Sequence, residues 1–197
     1  IERPGKVSNG QVLLNGVDLL KLSDSAMEDI RGDKMAMIFQ EPMTALNPVL
    51  TIGQQIDEQI MRHKKVSLKE SRERGIDMLN LVGIPSPQDR YDNYPHQLSG
   101  GMRQRAMIAM ALSCNPTFLI ADEPTTALDV TIQAQILELF QNLQEKLNMT
   151  VQFITHDLGV ISEISDNVLV MYGGHTCEMA ETQELFNHPR HPYTAAL

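Results

Sequence analysis

Cysteine is scarce in this sequence: Cys114 and Cys177 are the only two, they lie far apart, and they fit no zinc-ligand spacing. Reduced thiols in a cytosolic setting are the expectation. Long apolar runs are missing as well. A membrane-crossing helix takes roughly 18 consecutive apolar residues, and Ala106 to Leu112 is among the longest runs here, so the chain reads as soluble or at most peripheral. Positive charge is in deficit. Sixteen Lys and Arg against 25 Asp and Glu leave a net charge of −9, which argues against a general nucleic-acid binder, because neutralising phosphates takes a basic face. A nucleotide can still bind locally, since backbone amides and a metal ion hold phosphates without surplus Lys or Arg. There is no internal repeat, no low-complexity tract, no signal peptide and no initiator methionine; Ile1-Glu2-Arg3-Pro4-Gly5 reads as the interior of something longer. The 197 residues, 42% of them hydrophobic, suffice for one sizeable core or a core with a smaller subdomain.

What is present is organised around Phe118 to Asp129, F-L-I-A-D-E-P-T-T-A-L-D. Apolar and small residues run into two adjacent carboxylates, Asp122 and Glu123, and Pro124 stops the strand. Acid therefore stands at the carboxyl end of a buried strand, the edge where open α/β sheets bind ligands. Paired carboxylates there suit a divalent cation and a polarised water: Asp122 for the metal, Glu123 for the water. An acidic turn with no chemistry is the alternative for a lone Asp-Glu pair, so the neighbouring motifs decide.

Around that stretch the pattern alternates. Gln11 to Leu14 and Val17 to Leu20 flank the turn signal Asn15-Gly16. Ser23 or Asp24 caps a short helix through Ile30, and Lys34 to Phe39 is a buried strand that delivers Gln40 to a proline-rich loop. Thr51 with Gln54, and Ser67 with Glu70, predict two capping boxes. Ile52, Ile56 and Ile60 line the first helix; Ile76, Leu79 and Val82 line the second, which Gly83 ends. Pro85 to Pro95 reads as a polar linker, and Met102 to Ser113 as a long helix. From Thr117 onward, strands at Thr117 to Ala121, Thr150 to Thr155 and Asn167 to Tyr172 alternate with helices at Thr131 to Leu147 and Asp157 to Ser165, the mark of a parallel sheet. Gly173-Gly174 leads to a last strand and a short helix near Gln183 to Asn187.

Three more constellations bear on chemistry. Ser99-Gly100-Gly101 at a helix start can lay several N–H groups against an anion, although Ser-Gly-Gly alone is more often a plain cap. His156 follows an apolar strand at the same sheet edge as Asp122; a lone histidine there is more often structural, and the carboxylates move it toward a γ-phosphate contact. Gln40 ends a buried strand and offers an amide to a metal-bound water and a loop. Arg103 and Arg105 fit a solvated flank or an internal ion pair better than a phosphate site. Met107 and Met110, like most of the methionines, fit core filling.

In combination these residues resemble the ATP-binding subunit of an ATP-binding-cassette (ABC) transporter, along the entire chain. Ile38-Phe39-Gln40 is similar to the Q-loop, Leu98 to Met102 to the signature, Phe118 to Glu123 to the Walker B strand, Thr126-Ala127-Leu128-Asp129 to the D-loop, and Ile154 to Asp157 to the switch-histidine segment. Gln40 to Pro48, His191-Pro192-Tyr193-Thr194 and the signature's Met102 resemble the branch importing oligopeptides, dipeptides, glutathione or nickel. The resemblance implies an α/β fold, a P-loop NTPase-like parallel sheet flanked by helices, as one nucleotide-binding domain over residues 1–197 with a helical subdomain inserted at 51–114. It implies ATP and Mg²⁺, with Glu123, His156 and Gln40 catalytic, Asp122 and Gln40 at the metal, and Ser99, Gly100, Gly101 and Asp129 at nucleotide. Implied partners are membrane-spanning permease subunits, a second ATP-binding subunit and, indirectly, an external solute-binding protein, at the cytoplasmic face of the cell membrane, with no nucleic acid.

One departure stands out. The sequence has no G-x-x-x-x-G-K-[ST] loop to cradle phosphates; Gly5-Lys6 lacks the upstream glycine and is followed by Val7. The N-terminal part of the domain is thus expected to be missing, along with a C-terminal extension after Leu197, and this chain alone to be inactive. Two other readings stay open: a non-catalytic partner that only donates a signature face, and a soluble ABC ATPase of DNA repair or translation.

Overall fold

A computed structural model describes residues 7–41, 45–126 and 129–197. Parts of three motifs, Gly5-Lys6, Pro42 to Thr44, and Ala127-Leu128, lie outside the described residues. β1 (Leu13–Leu14) and β2 (Val17–Asp18) form a minimal hairpin. Asn15 and Gly16 at its tip have φ of 48° and 80°, the left-handed pair that a tight antiparallel turn needs. α1 (Asp24–Ile30) starts at Ser23, whose hydroxyl accepts from the Ala26 amide at 3.2 Å.

Three strands build the sheet that carries the site: β3 (Met35–Ile38), β4 (Phe118–Asp122) and β5 (Thr150–Ile154), parallel and in that order. The register pairs Ile38 with Ala121 and Asp122 with Ile154, so all three strands end at one level. Parallel neighbours need long crossovers. Between β3 and β4 run α2 (Ile52–Lys64), α3 (Leu68–Leu81), α4 (Pro87–Tyr91) and α5 (Gly100–Leu112); between β4 and β5 runs α6 (Val130–Leu147). α5 packs against β3 and is buried along most of its length, with Ala106, Met107, Ile108, Ala109 and Leu112 inaccessible. One continuous apolar core joins Ile52, Ile56 and Ile60 of α2 to Ile38, Leu119 and Ala121 of the sheet and to Ile136 and Phe140 of α6.

The capping box at Thr51 is complete: its hydroxyl accepts from the Gln54 amide at 3.1 Å, and the Gln54 side chain accepts from the Thr51 amide at 2.8 Å. At Ser67 only half forms. Its hydroxyl accepts from the Glu70 amide at 3.3 Å, while the Glu70 carboxylate takes Arg74 at 2.7 Å instead of reaching back.

The expected linker at Pro85 to Pro95 contains a helix, α4, whose Tyr91 is 2% exposed. Two glycines make its slot. A Cβ on Gly53 of α2 would lie 2.1 Å from the Tyr91 ring, and one on Gly75 of α3 would lie 2.7 Å from it. The Tyr91 hydroxyl donates to Asp57 Oδ1 at 2.7 Å, and the Ser71 hydroxyl donates to the same oxygen. Burial first, then the Asp57 carboxylate, pushes the Tyr91 phenol far above its ordinary range. Arg72 stands 4.7 Å from the ring centroid and pairs with Asp92 at 2.6 Å.

After α7 (Leu158–Ile164), the chain departs from the expected parallel continuation. β6 (Asn167–Tyr172) pairs antiparallel with β7 (His175–Glu181) in a separate two-stranded sheet. Gly173 and Gly174, with φ of 56° and 80°, fold the chain directly back, so a local partner meets β6. α8 (Thr182–Asn187) and α9 (Pro192–Ala196) close the chain. Glu178 of β7 clamps the segment before α9: its carboxylate accepts from the amides of Arg190 at 2.9 Å and His191 at 3.0 Å. The Arg190 amide, then that of His191, holds the Glu178 carboxyl below its usual range. The clamp is therefore intact above the ordinary carboxylate range and is lost as pH falls through the depressed value. Protection factors for hydrogen exchange at the Arg190 and His191 amides should fall about tenfold in Glu178→Ala at neutral pH, the loss of one net hydrogen bond at each amide, and in the parent chain only on acidification.

Candidate functional site

The common level of the three strand ends brings Gln40, Asp122, Glu123 and His156 to one edge of the sheet. Gln40 follows β3, His156 follows β5, and the ladder runs one residue past β4, with the Glu123 amide donating to the Ile154 carbonyl at 2.9 Å. There the backbone turns. Glu123 has φ of 44°, a left-handed conformation costly for a side chain of its size and typical of functional sites. That turn breaks the strand alternation that would otherwise set Asp122 and Glu123 on opposite faces.

The Glu123 carboxylate gathers the edge together. Gln40 Nε2 donates to its Oε2 at 3.0 Å, the Thr126 hydroxyl donates to the same oxygen at 2.8 Å, and His156 Nδ1 lies 3.2 Å from Oε1. The Thr126 hydroxyl foremost, then His156, holds the Glu123 carboxyl below its ordinary range, so it stands ionised at neutral pH. The His156 side chain is 80% exposed and that of Glu123 26%, which leaves this group open to a ligand from solvent.

Asp122 is half-buried, and its carboxylate has no hydrogen-bond or ion-pair partner among the described residues. An unpaired carboxylate at a strand end suits a hard cation. No three His, Cys, Asp or Glu side chains form a cage among the described residues. A Mg²⁺ ion fits this donor set, since it binds through one or two protein oxygens and draws the rest from water and phosphate. With its amide nitrogen on Glu123, Gln40 keeps its carbonyl oxygen for such an ion.

Ser99 and Gly100 are exposed and Gly101 is half-buried at the start of α5. The Ser99 hydroxyl caps it, accepting from the Met102 amide at 3.3 Å. A Cβ on Gly100 would meet nothing within 4 Å, so a ligand can approach this backbone closely. No hydrogen bond among the described residues joins these three to the Glu123 group. Asp129 caps α6, accepting from the Ile132 amide at 2.9 Å, and is likewise separate from Glu123. The sequence-derived site residues thus fall into a Gln40–Asp122–Glu123–His156 group and a Ser99–Gly100–Gly101 group.

Arg103 Nε donates to the Leu98 carbonyl at 3.0 Å, and Arg105 donates to the Val82 carbonyl and, at 3.2 Å, to Gln135. The helix flank is braced internally through carbonyls. Two further residues matter that sequence reasoning did not single out. Thr126 contacts Glu123, and Gln104, 1% exposed, donates its amide to the Pro124 carbonyl. Gln104 stands between Arg103 and Arg105 in the sequence, a polar run that reads as solvated, so neither its burial nor its partner twenty positions on was signalled locally.

Comparison with known proteins places this geometry. The family model described as ABC transporter matches residues 2–126. The dipeptide transport ATP-binding protein of Bacillus subtilis (strain 168) is 57% identical over 192 residues, covering 98% of this chain and 57% of its own length. An oligopeptide transport ATP-binding protein of the same organism is 53% identical over 194 residues, covering 98% of this chain and 54% of its own length. The chain thus spans just over half the length of these curated relatives. Among solved structures, a dimeric ATP-binding cassette in a post-hydrolysis state bound to ADP and Pi superposes with a TM-score of 0.79 at 29% identity, covering 89% of this chain and 74% of that one. The cbiO1 protein from Clostridium perfringens, part of an ABC transporter complex, gives 0.78 at 28% identity, covering 92% and 69%. With a parallel sheet whose three ends meet at Glu123 and a family match across more than half its length, this chain belongs to the ABC transporter family.

Proposed function

We propose that this chain is the ATP-hydrolysing part of the motor subunit of a peptide-class ABC importer. The observation that carries the reading is the Glu123 carboxylate, held by Gln40 and His156 from the strands on either side. An ionised glutamate there orients a water and accepts its proton as the oxygen attacks the γ-phosphorus; the products are ADP and inorganic phosphate. His156 presents its free ring nitrogen to the γ-phosphate. Asp122 and Gln40 would hold a Mg²⁺ ion, which would supply neutralisation of phosphate charge. In the dimer, Ser99, Gly100, Gly101 and Asp129 serve the nucleotide shared with a second ATP-binding subunit, which explains their separation from Glu123.

The permease-facing surface is assigned to the region after Gln40, within a helical subdomain spanning 51–114. A groove of about 490 Å³ lies there between α1 and α2, lined by Glu28, Asn47, Gln55 and Arg62 among others. Gln55 fixes its rim: it accepts from the Asn47 amide at 2.8 Å and donates to the carbonyls of Asn47, Leu50 and Thr51, each at 3.2 Å. A groove with so firm a rim transmits closure of the ATPase dimer to a membrane-spanning partner. The working place of the subunit is the cytoplasmic face of the membrane, and solute choice rests with the permease and an external binding protein.

The test takes a subunit of the relatives' full length carrying this sequence. Mg²⁺-dependent ATP hydrolysis that rises when its permease and a peptide-loaded binding protein are reconstituted with it is the expected result. Tight ATP binding without turnover in that assembly would point to a non-catalytic partner. Turnover that ignores the permease would point to a soluble ATPase.

A further inference from the structure

We infer that Thr126 is a positioning residue for hydrolysis, its hydroxyl holding the Glu123 carboxylate in the orientation that receives the attacking water. The inference rests on Glu123 as the water-orienting group.

Among the three contacts to that carboxylate, the one from Thr126 is the shortest, at 2.8 Å, and the only one from its own turn. Gln40 and His156 arrive from other strands, 83 and 33 residues away in sequence. On the proposed reading both of those side chains carry a second duty toward metal or phosphate through their other polar atom. The hydroxyl of Thr126 has no such second duty.

The turn itself is fixed at both ends. The Thr126 amide donates to the Glu123 carbonyl at 3.1 Å, and the Glu123 amide donates to Ile154 at 2.9 Å. Behind it, the buried amide of Gln104 holds the Pro124 carbonyl. With the backbone so constrained, one torsion of the Thr126 side chain sets where its hydroxyl lies, and the entropy lost in fixing the carboxylate is small. Oε2 then has two donors, Thr126 and Gln40, which leaves Oε1, with only His156 beside it, as the oxygen for the water. Among uncharged side chains only Thr and Ser place a hydroxyl at this reach.

Thr126 is exposed, so valine, of nearly the same shape, fits without disturbing the core. In the full-length subunit Thr126→Val should lower kcat about tenfold, as expected for losing one hydrogen bond to a charged group, with KM for ATP unchanged. Thr126→Ser should restore kcat to within about twofold, because it returns the donor and not the methyl group. Wild-type kcat in Thr126→Val, a loss carried by KM, or a serine variant as slow as the valine variant would each overturn the inference. Glu123→Gln in the same assay separates the two levels. If that variant turns over normally, the reading of Glu123 has failed; if it is inactive while Thr126→Val is unimpaired, only the role of Thr126 has.

Discussion

Glu123→Gln, made in a subunit of full length, should leave ATP binding intact and slow hydrolysis by about 10²- to 10⁴-fold, the range for removing a positioned general base. The geometry predicts a clean separation of the two effects. Glutamine has the same shape, and its remaining carbonyl oxygen still accepts from Gln40 and Thr126, the two donors that share Oε2. Its new N–H₂ faces His156 Nδ1, which accepts in the other tautomer. The three contacts survive, the negative charge does not, and nothing is left to take the proton from water. ATP should therefore bind and hold two subunits together for far longer than in the parent. Single-turnover hydrolysis with radiolabelled ATP, alongside size-exclusion chromatography with ATP, measures both halves. Turnover at the parental rate would remove Glu123 from its assigned role.

The second large effect is on stability. Tyr91→Ala should cost about 3–5 kcal/mol, the range for truncating a buried aromatic residue, because it empties a slot that Gly53 and Gly75 leave open for one ring. It also leaves Asp57 with the Ser71 hydroxyl but without the phenol. Tyr91→Phe keeps the ring and loses only the hydroxyl, for about 1–3 kcal/mol. Urea denaturation of the three proteins gives the order parent, phenylalanine, alanine. Equal losses in both variants would show that the hydrogen bonds to Asp57, and not the fit of the ring, hold the helices together. Gly53→Ala approaches the same slot from the other side and should also destabilise, since its Cβ would lie 2.1 Å from the ring.

Much of this was legible in the sequence where the signal is local. Thr51 and Gln54 are three residues apart and cap the same turn; Ile52, Ile56 and Ile60 recur at helical spacing and are all buried. Phe118 to Asp122 reads as a strand ending in acid, and the strand ends bearing Gln40 and His156 follow the same logic. Tyr91 was hidden because its slot is made by glycines on two other helices, and its polar, proline-flanked surroundings imitate a linker. The partner of β6 was misread because strand-helix alternation is silent about which edge a strand joins, and Gly173-Gly174 supplied a nearer one. The Ser67 box is only half formed for a reason that spacing does not register: the Glu70 carboxylate pairs with Arg74 one turn on. At Glu123 the residue types were readable, whereas the left-handed turn and the contacts to Gln40, Thr126 and His156 depend on parallel register between distant strands.

The amide of Gln104 carries a consequence for timing. It lies on the helix that begins at Ser99, and it grips the carbonyl of Pro124, the residue next to Glu123. Proline has no N–H, so that carbonyl is its one backbone polar group. A tilt of the helix at its glycine end therefore pulls within one peptide unit of Glu123. On the proposed reading, the glycine end touches one ATP and the glutamate another. On that reading the buried bond between Gln104 and Pro124, whose rupture costs about 1–3 kcal/mol, would link the two sites, and that energy corresponds to a factor of about 5 to 150.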